Sequence, residues 1–188
     1  MGATDLDPAR VITVDSEKLG QFLFLAFSTT EGNQVPLGRR KPWLLSHDRE
    51  AMTDRILAAI ENPYTQILAH PTGRLLLRRE SFEYDMEKIL NAAKKNGVAV
   101  ECNAYPDRLD LNDVHLRMAR ERGVKVVIST DAHSTTHFRM MKYGVITARR
   151  GWLEKKHVLN TLPLSEFLAS LRPKPAAAIP KSAKSKSA

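Results

Sequence analysis

The chain has 188 residues, 43% hydrophobic and 27% charged, which suits one soluble globular domain with a sizeable core. No apolar run approaches a membrane span, and the lone cysteine, Cys102, excludes an internal disulfide and fits a reducing cytoplasm. From Arg172 onward Arg172, Lys174, Lys181, Lys184 and Lys186 meet no acidic residue; without these five the body keeps only +3 of the net +8, so a pI of about 9.7 is weak ground for a nucleic-acid-binding fold.

Residues 1–48 are the least patterned part. Val11 to Val14 suggest a short strand. Phe22 to Phe27 is apolar without clear alternation, and it follows a mixed-charge start rather than the basic start of a signal peptide. Residues 28–46 carry turn formers and no period, which predicts loop or disorder, with Trp43, Leu44 and Leu45 available to dock on the body. From Ser46 or Asp48, either of which can cap, a helix is predicted to about Glu61, with Met52, Ile56, Leu57 and Ile60 on one face. His47, beside Asp48, is read as part of that helix start.

Asn62-Pro63 ends the helix, and Thr65 to Ala69 is a short buried strand that delivers His70. Pro71-Thr72-Gly73-Arg74 forces a turn. A helix opening at Ser81 turns Met86, Ile89, Leu90 and Ala93 inward and stops at Asn96-Gly97. Val98 to Asn103 is the next strand. Glu101 and Asn103 share one of its faces, and Cys102 points the other way, as a small core residue. Tyr105 to Arg108 is loop. A helix over about Asn112 to Arg122 follows, with Val114 and Met118 on one face, Leu116 and Ala119 adding apolar surface, and Gly123 at its end.

Val126-Val127-Ile128-Ser129-Thr130-Asp131-Ala132-His133 reads as a strand buried on both faces. Alternation would aim Asp131 and His133 at one point beyond its carboxyl end, where ligands sit in parallel α/β folds. An oxygen and a nitrogen converging there suit a divalent metal; a polar strand end making turn hydrogen bonds is the plainer reading. His137 to Lys142 suggests a short helix and Tyr143 to Ile146 a final strand. Ala148 to Trp152, Lys155 to Leu159 and Leu164 to Leu171 look like closing helical pieces. Residues 172–188 form a basic tail, and from Pro173 its composition predicts disorder. Strands alternating with helices imply right-handed βαβ units, hence an α/β layer or barrel.

Six histidines are present. His70 joins Asp131 and His133 on the same predicted rim, against the simpler reading of a backbone-satisfied histidine. His115 and His157 read as surface groups, and His137 as a neighbour of the Asp131/His133 pair or a substrate-facing group. Asn103 can orient a substrate or hold a loop. Arg74, Arg78, Arg79 and Arg108 follow rim strands; guanidinium forks suit phosphate oxygens, though a basic rim can also be solvated surface. Arg149-Arg150-Gly151-Trp152 offers charge beside an aromatic, but packing is the favoured role for Trp152.

Ala69 to Leu76, Glu101 to Asp113, Ser129 to Ser134 and Tyr143 to Leu153 strongly resemble the polymerase-and-histidinol-phosphatase (PHP) domain, more narrowly its C-terminal half in bacterial family X DNA polymerases. The resemblance spans roughly Glu50 to Leu171. It implies part of an irregular (β/α)7 barrel over residues 49–171, with the N-terminal half missing or replaced by the divergent residues 1–48. The family's opening His-x-His strand and its next ligands have no counterpart here, and a whole barrel takes on the order of 250 residues.

The implied chemistry is phosphoester hydrolysis of the 3′-5′ exonuclease type, by metal-activated hydroxide. His70, Asp131 and His133 match the family's later metal ligands and are the expected catalytic set. They would hold at most one ion, Mn2+ or Zn2+, weakly. Arg74, Asn103, Arg108 and His137 are the expected substrate contacts. The expected partners are DNA 3′ ends or another phosphate-bearing substrate, and a homodimer or partner chain covering the missing half; no membrane is expected, and the location is cytoplasmic. Two alternatives stand beside this: an inactive PHP remnant serving as a binding module, and a histidinol-phosphatase-like phosphomonoesterase.

Overall fold

The computed structural model describes residues 25–28, 48–171 and 173. The expectations for Val11 to Val14, Trp43 to Leu45, His47, most of the 28–46 loop and the tail lie outside them. Four strands form one parallel sheet: β1 (Leu25–Ser28), β2 (Thr65–Ala69), β3 (Ala99–Asn103) and β4 (Val126–Ser129). Their order in space is their order in the chain. The strands are joined or followed by α1 (Arg49–Glu61), α2 (Met86–Asn96), α3 (Asp113–Glu121), α4 (Met141–Arg150) and α5 (Leu164–Ser170). The α/β class is therefore as expected. A sequential parallel order has no switch point, so ligands have one natural place to sit: beyond the common carboxyl ends.

Alternation along the strands sorts the core into two layers. Leu68, Val100, Cys102, Val126 and Ile128 join the inward faces of the first four helices, as Ile56, Ile60, Leu90, Leu116 and Val145 show. Ile67, Ala99 and Val127 face the other way and are covered by Leu159 and Phe167. Both faces being buried accounts for the continuous Val/Ile runs.

Local signals explain most helix bounds. Asp48 caps α1 by accepting from the Ala51 N–H at 2.9 Å, and Gly97, at φ 66°, closes α2 in the left-handed conformation that glycine tolerates. Met52, Ile56 and Ile60 are buried as expected, while Leu57 is half-buried. The second helix starts at Met86 and not at Ser81. Phe82 N–H is spent on the Thr72 carbonyl (3.0 Å) and Asp85 N–H on Thr53 Oγ1 (2.9 Å), so the backbone before Asp85 is committed to tertiary partners. In α3 the inward pair is Leu116 and Ala119; Val114 is 62% exposed.

Tyr143 to Ile146 is not a strand but part of α4. The buried positions Met141, Gly144, Val145 and Ala148 recur at helical spacing. Gly144 lets the helix lie directly on the sheet: a Cβ there would stand 2.6 Å from Ile128 Cγ2 and 2.7 Å from Ala104 Cβ.

The free edge of β4 is partly covered. Val158 bridges Val126, and Asn160 turns its amide onto Ile128, accepting from the N–H at 3.1 Å and donating to the carbonyl at 2.7 Å. A side-chain amide thus does the work of a neighbouring strand. No helix among the described residues is long and apolar enough to cross a membrane.

Candidate functional site at the carboxyl rim

Strand β2 ends at Ala69, and His70 follows in left-handed backbone (φ 28°), buried. Gly73 N–H returns to the His70 carbonyl at 3.0 Å, which makes the expected turn. Burial, and then the field of Arg108, hold the His70 imidazole below its ordinary pKa, so it is neutral at pH 7.

Strand β4 ends at Ser129, two residues short of Asp131. Asp131 has φ 50°, which turns the chain, so strand alternation does not carry through to His133. That corrects the expectation that the pair converges by strand geometry. Asp131 is half-buried and paired with Arg108, Nε to Oδ2 at 3.2 Å, whereas His133 is exposed. The His133 Nδ1 lies 2.7 Å from the Asp131 carbonyl, an acceptor to which it donates. His137 joins this group: its Nδ1 accepts from the His133 N–H at 3.2 Å, and its ring lies 5.1 Å from that of Tyr105.

The rim arginines divide into two roles. Arg74 spends Nε on the Arg108 carbonyl at 2.6 Å and Nη2 on the Leu109 carbonyl. Arg79 bonds the Gly73 carbonyl at 2.9 Å, and Arg78 lies 3.8 Å from Asp107. These three tie the loop after β2 to itself and to the loop after β3. Arg108 pairs with Asp131 and exerts the strongest arginine field on His70, and its Nη1 is buried without a hydrogen-bond partner. Asn103 is fully buried with both ends of its amide engaged: Oδ1 accepts from Tyr105 N–H at 3.0 Å and Nδ2 donates to Glu101 at 3.4 Å. That geometry holds a loop.

Two buried carboxylates complete the site, and neither was singled out from sequence. Glu101, 7% exposed, accepts from His70 N–H at 2.5 Å and from the Ser129 hydroxyl. Burial pushes its pKa up to about 7. Asp110 accepts from Thr72 N–H at 3.0 Å, and burial raises it to about 6. The signal for Glu101 was present: an acidic residue inside a strand buried on both faces needs donors waiting for it.

Elsewhere, Cys102 is a core residue as expected, and burial raises its thiol pKa. His115 is half-buried, not a surface group, and its Nδ1 has no partner. His157 accepts from Glu154 N–H at 2.9 Å. Trp152 is not packed inside; its ring is 48% exposed, with the Arg117 guanidinium 4.0 Å above it.

Among the described residues, no group of three or more His, Cys, Asp or Glu side chains is gathered to hold a metal ion. As placed, His70, Asp131 and His133 do not present a metal cage: Arg108 already neutralises Asp131, and His133 turns to backbone.

The geometry defines a class: an α/β region with a polar rim at the carboxyl ends of parallel strands. Comparison with known proteins narrows it. Over 118 residues, 63% of the chain, it is 46% identical to the DNA polymerase/3′-5′ exonuclease PolX of Bacillus subtilis (strain 168). It is 29% identical over 122 residues to a probable phosphatase of Thermoanaerobacter sp. (strain X514), and 32% identical over 89 residues to a probable phosphatase of Acetivibrio thermocellus. These two matches take in 62% and 45% of the chain. No family model matches. The matched part of this chain is similar to a segment of PolX and to part of the probable phosphatases. The chain spans 21% of the PolX relative's length, and 47% and 34% of the two phosphatases'.

Proposed function

We propose that this region belongs to a phosphoesterase that hydrolyses phosphodiesters at DNA 3′ ends, working at the rim of a partial wound barrel over residues 49–171. The observation that carries the reading is the pairing of relatives: one named a 3′-5′ exonuclease, others named probable phosphatases, all phosphoester chemistry. Arg108 supplies the cation for the phosphate oxygens, exchanging Asp131 for substrate and freeing that carboxylate. His70, held below its ordinary pKa by burial, is the proton-accepting imidazole at the rim, and His133 is the second rim imidazole. His137 lines the approach, while Arg74 and Asn103 hold the loops that carry Arg108.

The metal-activated hydroxide implied by the resemblance, with Mn2+ or Zn2+, finds no ligand cage among the described residues, and no step runs through it. That observation, with Asp131 already paired, favours a second reading: a region that binds but does not cleave on its own. The test is the full chain on a 5′-labelled oligonucleotide and on p-nitrophenyl phosphate, with Mn2+ and with chelator. Shortening from the 3′ end that is lost in Asp131→Ala supports the exonuclease reading. Phosphomonoester turnover alone points to the phosphatase alternative, and no cleavage of either substrate leaves the binding module.

A further inference from the structure

Glu101 is the only charged residue in the described strands, and its neighbours along that face of β3 are Ala99 and Asn103. Its two oxygens are divided between strands. Oε2 accepts from the backbone N–H of His70, just past β2, and Oε1 accepts from the hydroxyl of Ser129, the last residue of β4. Asn103 Nδ2 adds a third donor at 3.4 Å. One carboxylate on the central of three strands therefore ties the ends of the other two.

What it ties is strained. His70 sits at φ 28° and Asp131, two residues after Ser129, at φ 50°, conformations that side-chain-bearing residues hold only where surroundings impose them. For His70 the surroundings include the bond from its own N–H to Glu101 and the Gly73 N–H on its carbonyl. A simple space-filling carboxylate has no reason to meet the two segments that carry the rim's imidazole and carboxylate.

We infer that Glu101 is a positioning residue: it fixes the His70 turn and binds it to the end of β4, setting where His70 stands relative to Asp131. This rests on the rim being the reacting site proposed above. Glu101 touches no substrate and acts through the backbone of its neighbours.

The test uses the full chain with Glu101→Gln, Glu101→Leu and Ser129→Ala, and bis(p-nitrophenyl) phosphate as probe. A glutamine can accept from His70 N–H and donate to Ser129 Oγ, so it should keep kcat within about threefold of the parent. Leucine removes both ties and should lower kcat by about 100-fold while KM moves less than about threefold. Ser129→Ala, which keeps the core intact, should lower kcat by about tenfold and carries the test if the leucine variant does not fold. The second readout is the exchange rate of the His70 amide proton by NMR. It should rise about 100-fold in the leucine variant, or about tenfold in Ser129→Ala, and stay at the parent value in the glutamine variant. Parent-like kcat in folded Glu101→Leu, or in Ser129→Ala where leucine does not fold, overturns the inference; so does an unmoved His70 amide. If the parent itself cleaves nothing, the proposed function falls, and the amide exchange still decides whether Glu101 holds the turn.

Discussion

Asn160 offers a sharp test of how the sheet is finished. Its amide satisfies both backbone groups of Ile128, at 3.1 and 2.7 Å, and both residues are buried, Asn160 at 5% and Ile128 at 1% exposure. Asn160→Ala leaves an N–H and a carbonyl unpaired where water has poor access. Each orphan costs about 1–3 kcal/mol, so the pair should cost about 2–6 kcal/mol. Against a total stability of about 5–15 kcal/mol this is a large share. At about 2–4 °C per kcal/mol, the melting midpoint should fall by about 10 °C. Differential scanning calorimetry measures it, and hydrogen exchange should show the Ile128 amide among the most accelerated in the variant. A midpoint within about 2 °C of the parent, with a still-protected Ile128 amide, would mean that Asn160 is not what closes this edge.

Gly144→Ala should destabilise by about 1–3 kcal/mol through overpacking, because its Cβ has no room against Ile128 and Ala104. Gly97→Ala meets nothing within 4 Å, so its cost is only the left-handed backbone, about 1–2 kcal/mol; urea titration of both variants separates the two origins. Glu101 and Asp110 have folded pKa values raised to about 7 and about 6, so the native state holds their protons where the unfolded chain has released them. Their contribution is full below about pH 4 and is lost as pH rises through about 6 and 7, with a slope approaching about 1.4 kcal/mol per unit for each group. The difference between parent and Glu101→Gln melts across pH 4–8 isolates the Glu101 share; a difference flat in pH refutes it. Arg108→Gln should raise KM for a phosphodiester by about tenfold with kcat less affected, and an unchanged KM would remove Arg108 from the substrate's path.

The parts of this molecule legible from sequence were those fixed by short-range rules. Asp48, Gly97 and Gly123 punctuate helices where capping and left-handed backbone require them. The Val/Ile runs marked strands buried on two faces. What failed was extrapolating one period too far. The β4 pattern predicts a strand through Asp131 to His133, but the strand stops at Ser129, because the Ser129 hydroxyl goes to Glu101 and Asp131 turns the chain. Tyr143 to Ile146 looked β-like until Gly144 was seen as a contact surface for the sheet. The rim arginines looked alike in sequence; only the loop geometry shows that Arg74 is spent on carbonyls and Arg108 is not. Glu101 is legible as a buried carboxylate that needs donors, but not as a tie between strands, because His70 and Ser129 lie about thirty residues away in either direction.

The sequential order of the strands has a consequence for synthesis. Each strand pairs with the one made just before it, with registers such as Leu68 to Val100 and Val100 to Val126 separated by about thirty residues. None of the described strands has to wait for a distant partner, so loop closure stays cheap and pairing tracks elongation. A ribosome delivering this chain can lay down β2, β3 and β4 in turn, each new strand docking on a surface already formed. The last tie, Asn160 onto Ile128, then arrives only after β4 is in place, and it serves as the clasp that ends the growing sheet.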